Sequence, residues 1–261
     1  MTLYKLQAPV ITGDEEVFGI ENHTIQTAQL PISFDLRTAF PNCIQDILTQ
    51  GDLGSCAANE LSNALKFCIA KEKGILFQPS RLFLYYFGRL YEGSDVNQDT
   101  GMSISGACGS IVKYGACNEN NWVYDITKFN VQPSRPAIIS GHRHCYGYKF
   151  CQVPQDINHI KQALFSGFPI LAGIQVYSSF ETDQVARTGV VPIPNVGTEQ
   201  KLGGHAIQIF SYSDILKTFT CSNSWGTSWG LPSSPGYFTI PYAYILDITL
   251  ASDLVQINYF K

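Results

Sequence analysis

The chain is predicted to fold in the α+β class, with helices in its first half and strands in its second. Two observations carry this prediction. Between residues 56 and 114, apolar side chains recur at the three-and-four spacing of helices. From residue 168 onward, short runs rich in β-branched and aromatic residues alternate with Gly, Pro, Asn and Ser, as strands and turns do. Helices and strands separated along a chain pack as two lobes with a cleft between them. At 261 residues the chain is long enough for one large domain or for two lobes sharing a site.

The elements follow in order. Residues 1–30 are polar and weakly periodic and read as an N-terminal arm, a short prosegment in character. The body, residues 31–261, opens at "LPISFDLR". After Gly54-Ser55, Ala57, Leu61, Ala64, Leu65, Cys68 and Ile69 fall on one helical face, and Gly74 stops that helix. "PSRLFLYYFGRLY" reads as a second helix with Ser80 as its N-cap. A third runs from about Ser103 to Tyr114, with Ile104, Ala107, Cys108, Ile111 and Val112 on one face and Gly115 at its end. Cys68 and Cys108 therefore read as core thiols. The stretch from Asp125 to Gly141, with two prolines, reads as a crossover loop. One helix is expected from Asp156, its N-cap, to Ser166, with Gly167 after it. Strands are expected in "FPILAGIQV", "HAIQIFSYS", "KTFTCSNSW", "GYFTI" and "DLVQINYF". The helical lobe is set at about 45–124 and the β lobe at about 140–261, with no internal repeat and no low-complexity tract.

Composition narrows the function. Hydrophobic content of 45% and charged content of 15% suit a globular enzyme and argue against disorder. The net charge of −4, without a run of like charge, gives no footprint for a nucleic-acid partner. No stretch approaches about 18 uninterrupted apolar residues, so no membrane partner is expected. "MTLYKLQAPVITGDEE" lacks a secretory signature, because proline breaks its apolar stretch and no small-residue cleavage site follows. An intracellular, cytoplasmic location is expected, with no signal peptide, and the sequon Asn22-His23-Thr24 reads as chance. "GHRHCYGYKFC" raises the question of zinc at His142, His144, Cys145 and Cys151. In a strand the two histidines share one face and Cys145 takes the other, which is poor for a tetrahedral ion. A solvated strand is the preferred reading, with a Cys145–Cys151 disulfide as the alternative. No metal and no cofactor are expected.

The chemistry gathers at Cys56. It sits in "QGDLGSCAANE", at the first turn of its helix, where the partial positive charge of the N-terminus favours a thiolate. A thiol nucleophile needs an imidazole to exchange its proton and a third group to orient that imidazole. His205, in "LGGHAIQIF", follows two glycines at what reads as a strand mouth, and Asn223, in "NSWGTSWG", can accept from its ring. The backbone N–H of Cys56 and the side-chain amide of Gln50 are candidate donors to an oxyanion.

"QGDLGSC", "LGGHA" and "NSWGTSWG", in that order and with 149 residues from Cys56 to His205, resemble the papain family of cysteine peptidases. "FDLR", "PSRLFLYY", "DTG", "KYGACNENNWVYD", "VYSSFE" and "TGVVP" resemble in particular the branch of that family found in bacteria, archaea and large DNA viruses. The resemblance covers roughly residues 30–260. It implies a papain-like two-lobed fold, with the site in the cleft between a helical and a β-barrel-like lobe. It implies a Cys-His peptidase in which Cys56 is nucleophile, His205 acid and base, Asn223 orienter and Gln50 oxyanion donor, with Trp225 shielding the His–Asn bond. Substrate backbone would pair at Gly101, with Met102 where the family has a second glycine, and Gly204 and Met102 suggest an uncharged, apolar pocket wall. A polypeptide substrate and a monomer are expected, in the cell or carried in a virion. Departures stand beside the nucleophile: Leu53 replaces a bridging cysteine of the secreted members and Ala57 their tryptophan, while "GLPSSPGYF" is a longer loop. No insertion blocks one end of the cleft, so an endopeptidase is expected. The alternatives are an exopeptidase, should the arm fill that end, and a papain-fold protein that binds peptides without cleaving them. The arm itself could hold the enzyme latent.

Overall fold

The computed structural model describes residues 30–44, 46–143 and 148–259. The N-terminal arm, its sequon, His144 and Cys145 lie outside the described residues. In chain order the elements are β1 (Ser33–Asp35), α1 (Leu36–Ala39), α2 (Cys56–Lys73), α3 (Arg81–Tyr91), α4 (Ile104–Tyr114), α5 (Arg135–His142), β2 (Tyr148–Gln152), α6 (Ile157–Phe165), β3 (Ile170–Tyr177), α7 (Asp183–Thr188), β4 (Lys201–Ser213), β5 (Thr218–Ser222), β6 (Gly230–Leu231), β7 (Ser234–Pro235), β8 (Tyr237–Pro241), α8 (Tyr242–Leu246) and β9 (Ala251–Tyr259). The class is α+β. An antiparallel sheet runs β2-β9-β3-β4-β5-β8, with β1 paired beside β4.

The helices start and stop where local chemistry directs. Ser80 and Ser103 each accept a backbone N–H three residues on, and Asp156 accepts from Asn158 and His159. Gly74 closes α2 in the left-handed region, at φ +66°. Four expectations need correction. Val112 is exposed, because α4 turns Ile104, Ala107, Cys108 and Ile111 inward and leaves Val112 on its outer side. The stretch read as a crossover loop contains α5, with Ser134 as N-cap and Pro136 in the first turn, where a missing N–H does no harm. His142 is the last residue of that helix, not part of a strand. The loop "GLPSSPGYF" contains the β6–β7 hairpin and the first two residues of β8.

Side chains alternate across the sheet and feed two cores. On β3, Ile170, Ala172, Ile174 and Val176 point to one core while Leu171 points to the other. Helix α2 joins them, giving Phe67 and Ala70 to the first and Leu61, Leu65 and Cys68 to the second. Its burial therefore extends beyond the single face read from the sequence: 14 of its 18 residues are buried. The polar ones need partners. Ser62 Oγ donates to Pro79 O (2.6 Å), and Asn59 Nδ2 donates to Ser55 O (2.9 Å). Glu60 Oε2 accepts from Ser222 Oγ on β5 (3.0 Å), while Oε1 has no partner. Among the described residues no helix is long and apolar enough to cross a membrane.

Burial pushes the Glu60 carboxyl up from 4.5 to about 8. The native state therefore keeps a proton that the unfolded chain gives up near pH 4.5, so stability falls as pH rises through that window. Each unit of such a difference is worth about 1.4 kcal/mol. The Glu60→Gln variant is expected to gain on the wild type by at least about 2 kcal/mol between pH 5 and pH 8, read from urea unfolding at both values. Parallel pH dependences of the two proteins would contradict this.

Candidate active site

The loop from Gln50 to Ser55 is fixed from both sides before it reaches Cys56. Toward the strands, Gln50 N donates to Ser224 O (2.8 Å) and Gly226 N to Leu48 O (3.0 Å). The Gln50 side chain is fully buried: Nε2 donates to Leu53 O (2.9 Å), and Oε1 accepts from Ser224 Oγ (2.7 Å). Toward the helices, both carboxylate oxygens of Asp99 accept from Gly54 N, each at 3.1 Å. Tyr85 OH donates to the same carboxylate and accepts from Gly101 N (3.1 Å). The segment carrying Asp99 is held by Arg89, a buried guanidinium that donates to Val96 O (2.9 Å) and Gln98 O (2.6 Å).

Cys56 opens α2 without a side-chain cap on its N-terminus. The residue is 6% exposed, and burial pushes the thiol's pKa up to about 11. The backbone N–H groups of Ala206 and Ala57 oppose that shift. Facing the helix end from β4, His205 is 2% exposed and its ring accepts or donates at one nitrogen only: Nε2 lies 2.8 Å from Asn223 Oδ1. An amide oxygen only accepts, so the proton sits on Nε2 and Nδ1 is the basic nitrogen, buried and without a partner. Burial lowers the imidazole from 6.5 to about 4. Asn223 Oδ1 is itself set by Ser224 N (2.8 Å). Trp225 covers the pair, its ring 4.9 Å from the imidazole and tilted by 34°. His205 stands within β4 rather than at a strand mouth, since pairing with β3 begins at Lys201.

Cys56, His205, Met102 and Gly204 line one cleft of about 320 Å³ that opens to solvent. Gln50, Asn223, Trp225 and Gly101 stand behind it, all buried. The N–H of Gly101 donates to Tyr85 OH, and its carbonyl accepts from Thr100 Oγ1 (3.2 Å). Met102 turns its sulfur into the space over Gly88, where a Cβ would lie 2.1 Å away. Among the wall residues that sequence reasoning missed are Gly173 on β3 and Asp253 on β9, so the wall holds an acidic side chain and is not apolar throughout. Among the described residues no group of three or more His, Cys, Asp or Glu side chains is placed to hold a metal ion.

Comparison with known proteins identifies the family and the fold. The family described as "Papain family cysteine protease" matches residues 30–249. A peptidase C1-like protein of Acanthamoeba polyphaga mimivirus is 41% identical over 230 residues, covering 84% of this chain and 72% of that one. Xylellain, a cysteine protease from Xylella fastidiosa, superposes with a TM-score of 0.84 over all of both chains at 29% identity. Procathepsin L 3 of Tenebrio molitor shares the fold at a TM-score of 0.69 and 18% identity, over 93% of this chain and 74% of that one. A bacterial and a viral relative fit the branch indicated by the sequence.

The Asp99 contacts predict a local and a global effect. Asp99→Ala leaves the Gly54 N–H and the Tyr85 hydroxyl without their charged acceptor, which costs about 2 kcal/mol or more. Urea unfolding should read that loss, and hydrogen exchange should read faster exchange at residues 51–55. Unchanged protection there would show that the carboxylate does not hold the loop.

Proposed function

Because the chain belongs to the papain family of cysteine proteases, we propose that it hydrolyses internal peptide bonds, with Cys56 as nucleophile and His205 as acid and base. The observation that carries this reading is the His205 ring: Asn223 occupies Nε2, so the unpartnered Nδ1 is the nitrogen left for the thiol in the cleft both residues line. A thiolate or an imidazolium made alone in so dry a place is disfavoured, as the direction of both shifts says. Proton transfer from Cys56 Sγ to His205 Nδ1 makes both charges together, and each then stabilises the other.

The steps follow from that pair. The thiolate attacks the substrate carbonyl carbon, and the oxygen becomes an oxyanion that accepts from the Cys56 backbone N–H and the Gln50 side-chain amide. Anchoring of Gln50 by Ser224 and Leu53 supports this assignment, because a donor held in advance need not reorganise during reaction. The C–N bond breaks as His205 gives its proton to the leaving amine, and a thioester to Cys56 remains. Water then attacks the thioester, His205 Nδ1 takes the water's proton, and the acid product leaves with the thiol restored. Trp225 and Asn223 keep the imidazole in one orientation and one tautomer throughout.

Cys56→Ala is expected to fold as the wild type does and to lose at least roughly 10³-fold in kcat/KM on an internally quenched peptide blocked at both ends. A thiol-reactive epoxide should label Cys56, as mapped by mass spectrometry. Labelling elsewhere, or turnover surviving in the variant, would remove Cys56 from its role, while cleavage confined to peptides with a free end would make the enzyme an exopeptidase. Because burial holds the imidazole near 4, the acid limb of kcat/KM is expected close to pH 4 and not near 6.5. A pH–rate profile checks this.

A further inference from the structure

The cleft wall carries one acidic side chain, Asp253, whose carboxyl burial pushes above its ordinary range, and the backbone is bent to put it there. Strand β9 runs beside β3 with Leu171 opposite Val255 and Gly173 opposite Ser252, which leaves one extra residue on β9. At that irregularity Asp253 takes φ +54°, the left-handed region that Asp and Asn enter most readily after Gly. A bulge of this kind redirects a side chain that regular pleating would send elsewhere. Here it delivers a carboxylate to the cleft wall shared by Cys56 and His205. Gly173, across the ladder, leaves the approach open: even a Cβ there would come within 3.8 Å of Asp253 Oδ2.

The carboxylate has almost nothing to satisfy it. Ser252 Oγ donates to Oδ2 at 3.0 Å, and no Lys or Arg among the described residues pairs with it. Its titratable neighbours in and behind the cleft are Cys56, His205 and Cys108, each of which burial holds in the neutral form. Met102 and Ile104 supply apolar wall beside it. A partly buried carboxylate flanked by apolar surface suits a long side chain with an aliphatic stem and a cationic head.

We propose that Asp253 selects substrates carrying arginine or lysine at the position that enters this cleft. The inference rests on the peptidase reading above, and it names the charge class of that enzyme's substrates. A carboxylate meeting a guanidinium makes two parallel hydrogen bonds, which no uncharged side chain of equal length reproduces.

The test compares wild type and Asp253→Asn on matched peptide libraries in which arginine is exchanged for citrulline, its uncharged analogue, one position at a time. Asparagine suits the same φ, so the variant keeps the bulge. The wild type is expected to prefer arginine at one position by on the order of tenfold or more in kcat/KM, and the variant to lose that preference, read as the arginine-to-citrulline ratio within each protein. An arginine-to-citrulline ratio that is the same in both proteins overturns the proposal. A second arm works without turnover: Cys56→Ala and the Cys56→Ala, Asp253→Asn pair are titrated with the arginine peptide by fluorescence anisotropy. Binding that depends on Asp253 in an enzyme that cleaves nothing would retain the charge selection and discard the peptidase. Cleavage with an Asp253-independent ratio would do the reverse.

Discussion

Everything in this molecule is arranged around the burial of α2. A helix enclosed along most of its length places its first residue in a dry environment, and that residue is Cys56, the proposed nucleophile. The same enclosure joins the two cores, because Phe67 and Cys68 on neighbouring positions belong to different ones. It also brings polar groups inside, and their partners come from both halves of the chain: Ser62 from the segment before α3, Glu60 from β5. The bond from Ser222 to Glu60 lies one residue from Asn223, so the group that orients the imidazole is tied to the helix that carries the thiol. Cys56 and His205 thus line one cleft because two chain segments are held to a common helix, one by its own turns and the other by a hydroxyl.

What could be read in the sequence was local or carried by a motif. Caps at Ser80, Ser103 and Asp156 and stops at Gly74 and Gly115 depend on residues a few positions apart, and these helices were legible to within a residue or two. Cys56, His205, Asn223 and Gln50 could be singled out as candidates because the requirements of a thiol nucleophile restrict the residue types. Features decided by pairing across the sheet were hidden. His205 lies inside its strand because β3 continues past the glycines to meet Gly203 and Gly204. Asp253 sits in a run that reads as plain strand, and only the register against β3 exposes the extra residue. Helix α5 was hidden for another reason: two prolines suggested a loop, although one of them occupies a first turn, where proline is at home.

The Asp99 contacts show how the loop before Cys56 is kept in place. Leu53 stands where the family resemblance puts a bridging cysteine, and the loop is instead tied at Gly54 by a carboxylate that Tyr85 and the Arg89-anchored segment hold ready. These are ordinary hydrogen bonds with no sulfur among them. A thiol nucleophile works only while its sulfur stays unoxidised, and a medium reducing enough to keep it so also opens accessible disulfides. A loop fixed by a carboxylate is indifferent to that potential. Keeping the sulfur reduced and keeping its loop closed are therefore separate requirements here, and one medium can meet both.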